Sequence, residues 1–393
     1  MVGRGGALAS LRVLELGGIG PAPFAGMVLA DMGADVVRID RPGPDTNELG
    51  MDRNLLMRGK RSVQLDLTSP EGRAVAWSLI EEANVLIEGF RPMVLERLGF
   101  APELCWERNQ RLSVGRMTGW GQSGPMAAVA GHDINYIGLA GVLHSVGPAA
   151  APVVPLNLVG DYGGGGLLLA FGLLCAVFET SVSGRGQVVD AAMVDGSALL
   201  MARWFGEMAF GRWHDNRGQN LVDGSAPFYR AYEAADGGFV AVGAIEERFF
   251  AQLISVLGID PGDVGDRWDR TTWSDLSERF ALRFKSRSRD EWVEAFDGVD
   301  ACVTPVLSMR EAIDDEHNRS RETFVEIDGI TQPAAAPRLG RTPGRAGSLP
   351  VPGQHTQEVL EELGLEAGRI EELDSRGVIR RASSAAAGFP ELS

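Results

Sequence analysis

Cysteine, lysine and long apolar runs are all scarce in this 393-residue chain. Cys105, Cys175 and Cys302 are its only cysteines. They stand far apart, are odd in number and form no C-x-x-C, so neither a disulfide framework nor a zinc site follows, and a reducing compartment is expected. Lysine occurs only at Lys60 and Lys285, so arginine carries nearly all the positive charge. A net charge of −16 would repel phosphate backbones and argues against a general nucleic-acid binder. The most apolar run, Gly163 to Phe178, falls short of the ~20 residues a membrane span needs and opens on glycines, so a buried helix between sheet layers is expected and no span. No apolar signal core opens the chain and its end, PELS, is not S-K-L, so a cytoplasmic location is expected.

What is present looks globular. With 45% hydrophobic and 23% charged residues, the chain is long enough for two domains with a substantial core. The first half alternates β-rich runs (LRVLEL, DVVRI, SVQLDL, NVLIEGF, RLSVGRM) with helical patterns, one of them from Pro70 to Glu82 behind the helix-start sequence TSPEGR. That alternation predicts an α/β fold with a parallel sheet. QVVDAAMVDG reads as another strand. Phe228 to Val242 reads as a hairpin turning at Asp236-Gly237-Gly238, and helices follow at Glu247–Leu257 and Trp273–Lys285. These make a smaller α+β domain over 224–315, reached by a linker at 201–223 and left by another at 316–329. The large domain takes 1–200, and a tail at 377–393 is expected to be disordered.

Four stretches carry chemistry. LELGGIGPAPFAG lies between a strand and a helix, like a dinucleotide-binding turn, but Pro23 stands where the third glycine of G-x-G-x-x-G belongs. Pro21 and Pro23 suit a first helical turn, yet they remove N–H donors that a pyrophosphate needs, which speaks against NAD. In TGWGQSGPMAAVAGHDINY, His132 precedes a helix, where the dipole favours its neutral form. Catalysis and a capping or core role both remain open there. In PLNLVGDYGGGG, Asp161 stands at the mouth of the apolar helix. It is either an N-cap or a carboxylate to which four glycines admit a ligand, and burial and the helix terminus pull its pKa in opposite directions. In VAVGAIEERFF, Glu246 is either an ordinary helix-start acid or one that orients an imidazole. A basic group, Arg38, Arg58, Lys60, Arg61, Arg91 and Arg97, is a candidate for holding phosphates, with a solvated surface pattern as the alternative.

Taken together, LGGIGPAPFAGMVLADMGADVVRIDRPG, IEGFRPMVLERLG, MTGWGQSGP, AGHDINY, NLVGDYGGG, GQVVDAAMVDG, VAVGAIE and ACVTPVL resemble the class III CoA-transferase superfamily, and within it the α-methylacyl-CoA racemases, over about Leu11 to Pro343. The resemblance implies a Rossmann-like large domain completed by 330–376, a small domain, and two chains interlocked as a homodimer. It implies 1,1-proton transfer at the carbon next to a thioester, with an acyl-CoA substrate, no metal, and no cofactor beyond the coenzyme A of the substrate. Inversion needs a base on each face of a planar enolate carbon, and the enolate oxygen needs a donor. His132 and Asp161 match the two bases, Glu246 the acid that orients the histidine, and the Asp133 N–H the donor to the enolate. Ile19, Gly20, Gly89, Gly131 and Tyr136 would border the coenzyme, and the basic group would hold its phosphates. Met193, Met201 and Met208 could line an acyl tail or simply pack the core. One rival is a CoA-transferase passing through an aspartyl-CoA thioester on Asp161. GHDINY counts against it, as transferases commonly lack a histidine there. A non-catalytic acyl-CoA-binding protein is the other, opposed by the intact His132, Asp161 and Glu246.

Overall fold

The computed structural model describes residues 5–43 and 54–382. In chain order the elements begin β1 (Arg12–Leu16), α1 (Pro21–Asp31), β2 (Asp35–Asp40), β3 (Arg61–Leu65), α2 (Pro70–Glu82), β4 (Val85–Glu88), α3 (Val94–Arg97), α4 (Pro102–Arg108), β5 (Ser113–Thr118), α5 (Asp133–Leu139) and α6 (Val142–Ser145). A π-helical segment, Leu158–Leu167, runs into α7 (Leu168–Ser183), and β6 (Val188–Ala192), α8 (Met193–Leu200) and α9 (Ala202–Ala209) follow. Next come β7 (Tyr229–Glu233), β8 (Phe239–Gly243), α10 (Glu247–Leu257), α11 (Trp273–Phe284), α12 (Arg289–Ala295), β9 (Val303–Val306), α13 (Met309–Asp314) and α14 (Glu316–Ser320). The chain closes with β10 (Phe324–Ile327), β11 (Ile330–Pro333), α15 (Thr356–Glu362), α16 (Ala367–Ser375) and β12 (Ile379–Arg380).

Two compact units result, one of 1–140, 156–200 and 324–393, the other of 141–155 and 201–323. The boundaries differ from those expected. Residues 141–155 and the anticipated linker 201–223, which contains α9, go with the second unit. Much of the return linker is structured, as α14 and β10.

The first unit is a doubly wound sheet in the order β12-β3-β2-β1-β4-β5-β6, parallel throughout except that β12 runs antiparallel to β3. The strands are short apolar runs because both faces of a parallel sheet are covered. Leu14, Leu16 and Leu86 face one layer with Ile80, Phe100, Leu360 and Ile370. Val13, Val85 and Ile87 face the other with Ala25, Leu29, Leu169 and Leu173. Each fully buried Val, Leu, Ile or Phe among them contributes roughly 1.5–3 kcal/mol. Strand order reverses between β1 and β4, and in such sheets the crevice at the carboxyl ends of those two strands is where ligands bind.

The second unit carries the antiparallel sheet β7-β8-β9. Its hairpin turns at Asp236, whose Oδ1 accepts the Gly238 N–H at 3.1 Å. Phe228, Phe250, Phe280, Phe284 and Trp292 form its core.

Two expectations fail outside the domain limits. The apolar helix is longer than anticipated, 26 residues from Leu158 to Ser183, which by length and composition suffices to cross a membrane. It is not sandwiched between layers. Leu169, Ala170 and Leu173 pack on the sheet, while Phe171, Phe178 and Val182 are 64%, 75% and 80% exposed. The tail expected to be disordered starts as structure instead, because β12 pairs Ile379 with Leu65 and Arg380 with Gln64. The rest of it, 383–393, lies outside the described residues.

Candidate active site

The turn after β1 reaches the crevice at the carboxyl ends of β1 and β4. Gly20 caps α1 with φ 67° and ψ −119°, a conformation glycine alone adopts without strain. A Cβ on Gly20 would lie 3.4 Å from Asp161 Oδ2, so the turn runs beside the carboxylate with room for one small group between them. Asp161 belongs to the π-helical segment, a geometry that recurs at functional sites.

Asp161 is not an N-cap. The cap position is Asn157, one turn earlier, and its Nδ2–H donates to Asp161 Oδ2 at 2.9 Å. The Asp161 N–H donates to Asp133 Oδ2 at 2.7 Å. Gly160 permits that bond, since a Cβ there would come 2.5 Å from the same oxygen. Burial pushes the Asp161 carboxyl above its ordinary pKa. The Asn157 hydrogen bond and His132 oppose that shift, and Asp133 adds to it. Desolvation therefore wins the contest that sequence alone left undecided.

His132 caps α5 in an extended conformation, and Asn135 Oδ1 accepts its backbone N–H at 3.0 Å. The residue is exposed, which removes the core-histidine alternative. Asp133 follows at the first helical position, 6% exposed, where its N–H is among those a helix leaves without an internal acceptor. Tyr136 holds the loop in place. Its hydroxyl donates to Gly131 O and its ring meets Trp120 edge-on at 4.7 Å. Gly119 is bare because a Cβ would collide with that ring, and a Cβ on Gly131 would approach it to 2.8 Å. Burial raises the Tyr136 pKa. Asp161 adds to the rise and Arg91 opposes it, so both charges reach the phenol.

Ile19 is 54% exposed beside Gly20. Gly89, just past the end of β4, packs toward Ala22, with 3.2 Å from its would-be Cβ to the alanine methyl. Arg91 and Arg97 are exposed and form no ion pair with another described residue. The other four cations are not available to a ligand. Arg38 meets Glu15 at 2.5 Å and Asp40 at 2.8 Å, and Lys60 meets Glu15 at 2.7 Å, where burial pulls its ammonium down to about 8. Arg58 is buried on Asp31 at 2.5 Å and on Gln332 at 3.0 Å. Arg61 pairs with Asp35 and Glu362, both at 2.6 Å, and opens β3 at the end of the sheet away from the crevice. Their charges are already neutralised inside the fold, which corrects the phosphate-binding reading for Arg38, Arg58, Lys60 and Arg61.

Two other readings are corrected. The run Gly163–Gly166 does not open a path to the carboxylate, because it lets helices touch. A Cβ on Gly164 would come 2.7 Å from Ser197 N, one on Gly165 3.1 Å from Pro21 Cβ, and one on Gly166 2.7 Å from Pro21 O. Met193 is 7% exposed and packs against Gly165, so it is core.

Glu246 sits at the cap position of α10, exposed and making no cap hydrogen bond. It belongs to the second unit, whereas Gly20, His132, Asp133, Tyr136 and Asp161 belong to the first. Among the described residues no group of His, Cys, Asp and Glu could hold a metal ion. Sequence reasoning missed Asn157, although the spacing N-x-x-x-D on a helix would have placed it beside Asp161.

A family model described as CoA-transferase family III matches residues 8–356. Alpha-methylacyl-CoA racemase of Mus musculus is 45% identical over 377 residues, covering 95% of this chain and 97% of its own. The Homo sapiens racemase is 43% identical over 379 residues, with the same shares. Succinyl-CoA–L-malate CoA-transferase beta subunit of Chloroflexus aurantiacus is 30% identical over 407 residues, covering 95% and 98%. The crystal structure of a CaiB/BaiF family protein from Brucella suis superposes with a TM-score of 0.79 at 24% identity, over 91% of this chain and 100% of that one. A match that runs over residues 8–356, nearly the whole sequence, places the chain in CoA-transferase family III.

Proposed function

We propose that the protein epimerises 2-methylacyl-CoA thioesters at the α-carbon. One base takes the α-proton, the electron pair moves onto the thioester oxygen as an enolate, and the conjugate acid of the other base returns a proton to the opposite face. Asp161 and His132 are the two bases. The observation that carries the reading is Asp161 itself, a half-buried carboxyl with a raised pKa, free of capping duty and facing the turn at Gly20. A raised pKa brings a carboxylate closer to the basicity that proton abstraction at neutral pH requires. The Asp133 N–H is the donor to the enolate oxygen. Gly20, Ile19, Gly89, Gly131 and Tyr136 border the thioester and coenzyme, with Arg91 and Arg97 toward the phosphates. No cofactor beyond the coenzyme A of the substrate is invoked.

Glu246 is the acid that orients the histidine, supplied by the same chain or by a second copy. A homodimer is supported by the exposed apolar stripe Phe171, Phe178 and Val182 on α7, since stripes of this kind mark interfaces. The three free cysteines favour a cytoplasmic site of action.

The test follows a single epimer of a 2-methylacyl-CoA in D₂O by proton NMR. Loss of the α-proton together with growth of the other epimer supports the reading. CoA moving instead onto an added carboxylic acid would make Asp161 a nucleophile and the protein a transferase. The 30% identity to the Chloroflexus aurantiacus transferase keeps that outcome in the assay.

A further inference from the structure

We propose that Glu15, Arg38 and Lys60 form a buried positioning network that holds the β1–α1 turn against Asp161, and so governs proton transfer at that base and not at His132. The inference rests on the reading of Asp161 and His132 as the two bases.

Alternation along β1 points Glu15 to the same face as Val13, into a layer built otherwise from Ala22, Ala25 and Leu29. A fully buried carboxylate there has a large desolvation cost and needs partners. Arg38 from β2 and Lys60 from the residue before β3 converge on it, at 2.5 and 2.7 Å. Each cation then bonds to a backbone carbonyl on one side of the β1–α1 junction, Gly18 in the turn and Pro23 in the first turn of α1. Arg38 Nη2–H donates to Gly18 O at 3.0 Å, and Lys60 Nζ–H donates to Pro23 O at 2.8 Å. Those two carbonyls bracket Gly20, whose would-be Cβ points at the Asp161 carboxylate from 3.4 Å. The Gly17 N–H ties the start of the turn to Ile39 O at 2.9 Å, and the two cations hold it at Gly18 and Pro23 through carbonyls.

The surrounding residues accommodate the network. A Cβ on Gly26 would collide with Glu15 Oε2 and come 3.0 Å from Lys60 Nζ, so a glycine here lets α1 lie over the ion pair. Asp40 holds Arg38 from the far side, at 2.9 Å to Nε and 2.8 Å to Nη2. Stability alone does not account for so many charges under a helix, because well-packed apolar residues in place of a buried ion pair are often neutral or better. What the ions add is a fixed place for Gly18 and Pro23.

The test uses the full chain with Glu15→Gln and Lys60→Met together, which removes both charges and leaves no lone buried one. α-Proton exchange in D₂O is followed separately from each epimer, with a thermal melt alongside. The expected result is a melting temperature near that of the wild type and racemisation reduced on the order of a hundredfold, the cost of a misplacement of about 1 Å. The epimer deprotonated by His132 still exchanges its α-proton without inverting, and the epimer deprotonated by Asp161 does not. Equal loss of both exchanges, or no loss of either, would overturn the proposal. Should the double variant not fold, Asp40→Asn loosens Arg38 from the exposed side, and the same one-sided loss, smaller in size, is expected. A symmetric effect there overturns the proposal as well. Wild-type protein that does not racemise in this assay refutes the functional reading instead, and the two failures are told apart by that control.

Discussion

Two glycine-rich stretches, Gly17-Gly18-Ile19-Gly20 and Gly163–Gly166, look alike in composition and do opposite things. In the first, glycine supplies a backbone shape. Gly20 turns through φ 67° with its missing Cβ directed at Asp161. In the second, glycine supplies proximity. The π-helical segment lies so close to α8 that a Cβ on Gly196 would collide with Gly164 O, and so close to α1 that Gly166 faces Pro21 O. Asp161 sits where both meet. One stretch runs beside its carboxylate and the other sets the depth of the helix that carries it, so activity and stability should separate between them.

Substitution at the meeting point has the largest expected effect. Asp161→Asn keeps the shape and removes the base, and racemisation should fall by about 10²–10⁴. The epimer served by His132 should go on exchanging its α-proton in D₂O without inversion. Equal loss of exchange from both epimers would remove Asp161 from its assigned face. Next comes Gly196→Ala, which forces α8 away from the π-helical segment. Such overpacking costs about 1–3 kcal/mol. With roughly 2–4 °C lost per kcal/mol in a domain of this size, a thermal melt will detect it. Turnover per folded molecule should stay close to wild type. Gly20→Ala is the mirror case. An alanine at φ 67° and ψ −119°, outside the left-handed helical region, is strained by about 1–3 kcal/mol, part of which the turn recovers by relaxing away from Asp161. Racemisation should drop about tenfold while the melting temperature moves less than for Gly196→Ala, a dissociation set by the new methyl standing beside the carboxylate. If both glycine variants lose stability and activity in the same proportion, the distinction between shape and proximity fails.

Local chemistry decides how much of this was legible in the sequence. The parallel strands were, because a strand buried on both faces is a short apolar run, and α2 was readable to the residue because Ser69 caps it and Pro70 opens it. His132 and Asp161 stood out through their neighbours. The cations were misread because their partners are remote in sequence. Arg61 meets Glu362 across 301 positions, and nothing near RGKR announces Glu15 or Asp31. The glycines Gly163–Gly166 were misread because an absent side chain looks the same whether it admits a ligand or a helix. The apolar helix was placed between layers because an all-round apolar surface implies burial, whereas in the single chain one face of α7 remains open.

The smallest effect comes from the residue that the sequence reading passed over. Asn157 donates to Asp161 Oδ2 and thereby favours the charged carboxylate, opposing the burial that raises its pKa. Asn157→Leu removes the donor and leaves burial less opposed, so the Asp161 pKa rises further. A base works only when deprotonated, so the acid limb of the rate profile for the epimer served by Asp161 should move to higher pH. A neutral hydrogen bond to a charged group contributes about 1.5–3 kcal/mol, and water or a relaxed side chain recovers part of it, so the shift should be about one unit or less. On the alkaline side of that limb the rate should match wild type, because the carboxylate is charged there with or without its donor. The limb for the epimer served by His132 should not move. A loss of rate that is the same at every pH would mean that Asn157 holds the carboxylate in place without tuning its affinity for a proton.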